Sequence, residues 1–158
     1  MSVIFIRLGL RVMRKFLPTK NAPADTILPK RGSKYSAGYD FYAPEDISIK
    51  AHSMSKLVMF NVKCYMPAYE YLAVMIRSSL AVKHGLQVAQ GTAVIDSDYA
   101  DNPDNDGNIG IAFVNNSGAD YIIRKGERCA QGVFTKFYLT DDDNAEGVRS
   151  GGYGSTGK

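Results

Sequence analysis

The stretch Ala93-Val94-Ile95-Asp96-Ser97-Asp98-Tyr99 sets two carboxylates at alternating positions with an aromatic beside them. An extended backbone would turn both acids to one face, and a positioned carboxylate can orient and deprotonate an attacking water. Arg77-Ser78-Ser79 puts a guanidinium next to two hydroxyls just after an apolar run, and Ala37-Gly38-Tyr39-Asp40 puts a carboxylate after a small-residue turn. Both combinations suit phosphate oxygens or metal-bound water. The tail from Gly152 to Lys158 follows the first seven positions of the phosphate-loop pattern G-x-x-x-x-G-K-[ST]. The hydroxyl residue and helix that complete such a loop do not follow it. By itself it reads as a flexible tail, although its glycines would let backbone N–H groups, with Ser155 and Thr156, approach an anion closely. Asn102, Asp104, Asp106 and Gly107 match the opening of a calcium loop, but Phe113 stands where the closing Glu belongs. That segment therefore reads as a solvated acidic turn.

Strands must carry these groups. The apolar pieces at 57–66, 71–76, 109–114, 121–123 and 129–139 are short and bounded by Gly, Pro, Asn and Asp, as strands are. Only 79–85 suits a helical turn or two. Ten Tyr and seven Phe would line a sandwich or barrel, so the class is mainly β. Two stretches look irregular, 99–108 and everything after Thr140. The chain of 158 residues is 45% apolar with a net charge of +3, a composition that fits one globular domain. The longest apolar run, from Tyr71 to Ile76, is far below the ~20 residues of a membrane-spanning helix, which excludes a transmembrane helix and leaves no membrane partner. Cys64 and Cys129, without a C-x-x-C and with only two histidines, read as reduced core thiols of a cytoplasmic protein. Residues 1–34 hold eight basic side chains and one acid, whereas the remainder is net acidic. The basic residues thus sit in a terminal arm rather than on a folded face with stacking aromatics, so no nucleic-acid partner is expected. The expected organisation is a β domain over 1–140, with 1–10 a ragged extension, and a flexible lid over 141–158.

Taken with Gly126-Glu127-Arg128-Cys129-Ala130-Gln131 and the segment from Arg149 to Gly157, the three motifs above resemble, in order, the five motifs of the homotrimeric dUTP pyrophosphatases, or dUTPases. The variant is similar to phage-type and Gram-positive members. The resemblance implies a jelly-roll-like trimer that hydrolyses dUTP to dUMP and pyrophosphate with Mg2+. Each site would be shared among chains, with the C-terminal arm reaching a neighbouring subunit. It further implies that Asp96 activates the water and that Tyr99 packs against the deoxyribose. The hairpin backbone at Gly91, Ala93, Val94 and Ile95 would read uracil. Arg77, Ser78, Ser79 and Gln131 would contact phosphates, and Asp40 would hold the metal through water. In the tail, Tyr153 would replace the usual Phe stacked on the base, while Arg149, Gly154, Ser155 and Thr156 would close on the phosphates. Ile76 and Ser79 replace the family's usual Pro and Gly around Arg77-Ser78, and Ala93 replaces a usual Gly. An acidic insertion occupies 100–108, and the spacing after Arg149 is one residue short.

Two other readings compete. A dCTP deaminase of the same superfamily needs a Glu on the strand after the third motif, and the stretch 109–116 holds no acid. A dUTPase-fold regulatory protein would use the 100–108 insertion as its partner surface.

Overall fold

The computed structural model describes residues 13–153, so the extension read at 1–10 and the roles read for Gly154, Ser155 and Thr156 lie outside the described residues. The strands β1 (Lys15–Pro18), β2 (Lys30–Arg31), β3 (Tyr39–Tyr42), β4 (Ile47–Ile49), β5 (Ser53–Met54), β6 (Val58–Met59), β7 (Val62–Tyr65) and β8 (Glu70–Ile76) come first. The helix α1 (Ser78–His84) follows, and then β9 (Leu86–Val88), β10 (Thr92–Asp96), β11 (Gly110–Ile111), β12 (Phe113–Asn115), β13 (Tyr121–Ile123) and β14 (Arg128–Lys136). The fold is mainly β, as the short apolar runs imply.

An antiparallel sheet in the order β10-β8-β14-β3-β2 forms the centre, flanked by the smaller pairings β1-β7, β6-β11, β4-β13 and β5-β12-β9. Phe41, Leu72, Val74, Ile111 and Phe113 are fully buried between these layers, and each contributes on the order of 1.5–3 kcal/mol by leaving water. The expected aromatic lining exists: Phe16 packs against Tyr39, Phe41 and Phe134 with ring centroids 5.3–5.8 Å apart. Cys64 and Cys129 are buried and unpaired, and burial pushes both thiols up to about 12.

The differences from expectation are local. The run at 57–66 is not one strand but two, because Asn61 takes a left-handed φ of 59° between β6 and β7; Asn tolerates that region better than most residues. The run at 109–114 divides into β11 and β12, and β14 stops at Lys136 rather than Leu139. The short strands β2, β4 and β5 have too few residues to register as apolar runs.

Candidate active site

The first cluster grows from the edge strand β10. Its inward residues are Ala93 and Ile95, so Thr92, Val94 and Asp96 must face outward, as period-two alternation requires. The strand ends at Asp96, and Ser97–Tyr99 forms a 3-10 turn. Strand alternation therefore does not place Asp98 beside Asp96, contrary to the extended reading. A tail residue unites them instead: Arg149 donates through Nη2 to Asp96 and through Nε to Asp98 at 2.7 Å, with its guanidinium 5.9 Å from the Tyr99 ring centre. Burial works to lower the Arg149 pKa, but the hydrogen bond to Asp98 and the charges of Asp98 and Asp96 outweigh it and raise it.

Tyr99 is only 6% exposed. Gly152 lies so close that a Cβ there would stand 2.6 Å from Tyr99 Cε2, so this approach needs glycine. Tyr153 meets Tyr99 edge-on at 6.4 Å, and its hydroxyl accepts from Gly110 N at 2.5 Å and donates to Gly110 O at 2.9 Å. Burial raises the Tyr153 phenol pKa. Together with Gln90 and the outward edge of β10, these residues line a cavity of about 190 Å³. Gly91 forms the turn that leads into β10 and does not line this cavity.

The second cluster is built by strand register. Asp40 on β3 lies directly opposite Gln131 on β14, which in turn faces Met75 near the end of β8. Arg77 follows β8 at once, and its Nε lies 2.9 Å from Asp40 Oδ1, while Arg128 Nη1 donates to Asp40 Oδ2 at 3.3 Å. Arg128 and Gln131 are three residues apart, so a regular strand would point them to opposite faces. The register of β14 shifts between Arg128 and Ala130, and one extra residue in a bulge restores them to the same side. Asp40, Arg77, Ser78, Arg128 and Gln131 thus line a second cavity of about 190 Å³, with Ser36 and Gly38. Ser79 sits exposed in the first turn of α1 and is not in its wall.

Neither cavity reaches the ~300 Å³ at which small-molecule sites begin. Asp96 pairs with Tyr71 at the start of β8, four residues before Met75, which shares a level with Gln131 and Asp40. At the usual strand spacings this separates the clusters by about 13 Å along the strands and about 14 Å across them.

The positions missed in the sequence are Gln90, Arg128, Gly110 and Gly152. Arg128 sits inside a motif already singled out, but its orientation depends on the bulge. Among the described residues no group of three His, Cys, Asp or Glu could hold a metal ion alone, and no helix is long and apolar enough to cross a membrane.

Comparison with known proteins is direct. The dUTPase family model matches residues 24–157. The deoxyuridine 5'-triphosphate nucleotidohydrolase of Lactococcus lactis is 42% identical, over 94% of this chain and 97% of its own. That of Saccharomyces cerevisiae is 35% identical, over 90% and 95%. The dUTPase crystal structure from Streptococcus mutans superposes with a TM-score of 0.73 at 37% identity, covering 80% of this chain and 98% of its own. A dUTPase from phage phi11 of Staphylococcus aureus, described with a species-specific insert, shares the fold at a TM-score of 0.69 and 20% identity, over 87% and 99%.

Proposed function

Since this chain belongs to the dUTPase family and is a dUTP-hydrolysing enzyme, we propose that Asp96 is its general base and that each site is completed by other copies in a homotrimer. One observation carries the reading: the five motifs fold into two partial sites too far apart on one sheet to grip a single nucleotide. The Asp96 cluster of one chain then meets the Asp40–Arg77–Gln131 cluster of another.

In the reaction, a water oxygen attacks the α-phosphorus, the bond from that phosphorus to the bridging α–β oxygen breaks, and pyrophosphate leaves. Asp96 takes the proton. The Arg149 guanidinium occupies Asp96 Oδ2, so before that oxygen takes the proton Arg149 must leave. Substrate phosphates give it a stronger partner. The tail over 141–158 acts as a lid, because Tyr153, Gly152 and Arg149 all rest on the site they would close. By the resemblance of their motif, Gly154, Ser155 and Thr156 would add phosphate contacts to it.

β10 is the edge of the central sheet, so among the described residues the backbone N–H and C=O groups on its outer side have no strand partner. Those groups suit a main-chain reading of uracil at Ala93, Val94 and Ile95, next to the turn at Gly91. The Tyr99 ring offers the sugar an apolar wall with no partner for a 2′-hydroxyl. Arg77, Ser78 and Gln131 bind phosphates, and Arg128 joins them. Both oxygens of Asp40 already meet guanidinium groups yet keep lone pairs for a water. These residues fit a magnesium ion held chiefly by triphosphate and water, with Asp40 in the outer layer. When bound, the ion neutralises phosphate charge. Two buried, unpaired thiols support a reducing cytoplasmic setting.

Asp96→Asn tests the assignment. Pyrophosphate release from dUTP should fall by about 10²-fold or more with oligomer and nucleotide binding retained, and near-normal turnover would sink the assignment of the base.

A further inference from the structure

The 100–108 insertion turns inward. Lys63, 7% exposed on β7, donates to Asp101 and, at 3.0 Å, to Asp106, clamping the loop near its two ends. Tyr65 Oη donates to Asp101 at 2.5 Å and Lys20 N to Asp106 at 2.7 Å. Lys63 is desolvated, yet its two carboxylate partners raise its pKa. Asn102 is 5% exposed; its Oδ1 accepts from the backbone N–H groups of Asp104 and Asn105 at 3.1 Å. Gly107 has φ 74° and lies where a Cβ would be 2.7 Å from Ala100 Cα, so the loop folds tightly onto its own start. The segment is therefore an ordered loop rather than the solvated acidic turn its composition implies.

All this order converges on one ring. Asn102 Nδ2 donates to Tyr99 O at 2.8 Å and to Asn105 Oδ1 at 2.8 Å, and Asn105 Nδ2 donates to Tyr99 Oη at 2.8 Å. Tyr99 Oη itself donates to Asn108 O at 3.0 Å. A phenol with one donor and one acceptor bond has its hydroxyl direction settled, and the ring plane is held at its far end as well as at its Cβ. We infer that Asn105 is a positioning residue for sugar selection, holding the Tyr99 ring as a rigid wall against ribonucleotides. This rests on the reading of Tyr99 as the sugar platform. A wall excludes one extra hydroxyl only while it cannot tilt away, and the insertion supplies that stiffness.

Asn105→Asp is the discriminating variant. It keeps Oδ1, which accepts from Asn102 and Gly107, and loses the donor to Tyr99. The assay is kcat and KM for dUTP and UTP, by pyrophosphate release from the full chain with magnesium. The ratio of the two kcat/KM values should fall about fivefold, the weight of roughly one hydrogen bond, with UTP gaining. Tyr99→Phe deletes the same bond from the other side together with the one to Asn108 O, so it should lower the ratio at least as much, and the double variant should go no lower than Tyr99→Phe alone. Equal losses on both nucleotides, or additive effects in the double variant, would overturn the inference. Should Asn105→Asp fail to assemble, Tyr99→Phe carries the same expectation. Tyr99→Ala separates the two layers. If it changes the ratio and Asn105→Asp does not, Asn105 is not the positioning residue; if Tyr99→Ala leaves the ratio unchanged, the sugar platform itself falls and this inference with it.

Discussion

The two partial sites on the central sheet are made by opposite means. Around Asp40, every charged group stands on a paired strand or one residue beyond it, and strand register with the β14 bulge brings Arg77 and Arg128 to one carboxylate and sets Gln131 opposite it. Around Asp96, the proposed base sits on an edge strand and much of the wall is a tail whose residues 141 to 148 are exposed before Arg149 and Tyr153 anchor it. Fixed positive charges suit a triphosphate, because preorganised groups cost nothing to orient when charge develops. On the proposed reading a base and sugar must enter and leave the Asp96 half, which suits its being held by contacts that can open.

The sharpest break between the two halves is truncation after Glu146. Removing the tail takes Arg149 and Tyr153 from the nucleoside side and nothing from the strands, so turnover should fall by about 10²-fold while the thermal midpoint moves by less than about 2 °C. Steady-state kinetics beside a melting curve checks this, and a truncated enzyme working at close to the full rate would erase the distinction.

Asp40→Asn should behave differently, losing stability as well as rate. The amide leaves Arg77, 26% exposed, without its charged partner, while water can take over the share of the half-exposed Arg128, so the cost is about 1 kcal/mol. Urea denaturation of the variant should show that loss, whereas the tail truncation should not.

The smallest effect concerns pH and the insertion that supports the nucleoside side. Hydrogen bonds from Lys63 and then Tyr65 hold the Asp101 carboxyl below its usual range. Burial works to raise the Asp106 pKa, but the backbone N–H of Lys20 and the Lys63 ammonium lower it on balance. A depressed carboxyl stabilises the fold above its unfolded value near ~4, and that contribution is lost as pH falls through the folded value. Lys63 is raised, so its share is present below ~10.5 and is lost only as pH rises beyond that. Between these limits the anchor should be insensitive to pH. Melting curves from pH 3 to 7 should show Lys63→Met losing less stability on acidification than the natural chain, and parallel curves would refute the clamp.

Much of the chemistry was legible in local order. Asp96, Arg77, Asp40, Gln131 and the Gly-rich tail carry their identities in short motifs, and apolar runs of three to eleven residues bounded by turn residues were enough to indicate a mainly β protein. The same reasoning misjudged Asn102 to Gly107, since an acidic, Asn-rich composition looks solvated until its cation is known, and Lys63 lies some forty residues away. It also missed Arg128, because strict alternation places it opposite Gln131.

By itself, then, the sequence determined which groups are available, their order along the chain, the family and the strand-rich class. Only the tertiary structure decided that Arg149 bridges Asp96 and Asp98, that a bulge turns Arg128 toward Asp40, that Asn105 braces Tyr99, and that the motifs lie as two separate halves. The physical reason is reach: a motif's chemistry is local, but pairing register, bulges and the partner of a buried charge are settled by non-local burial summed over strands distant in the chain.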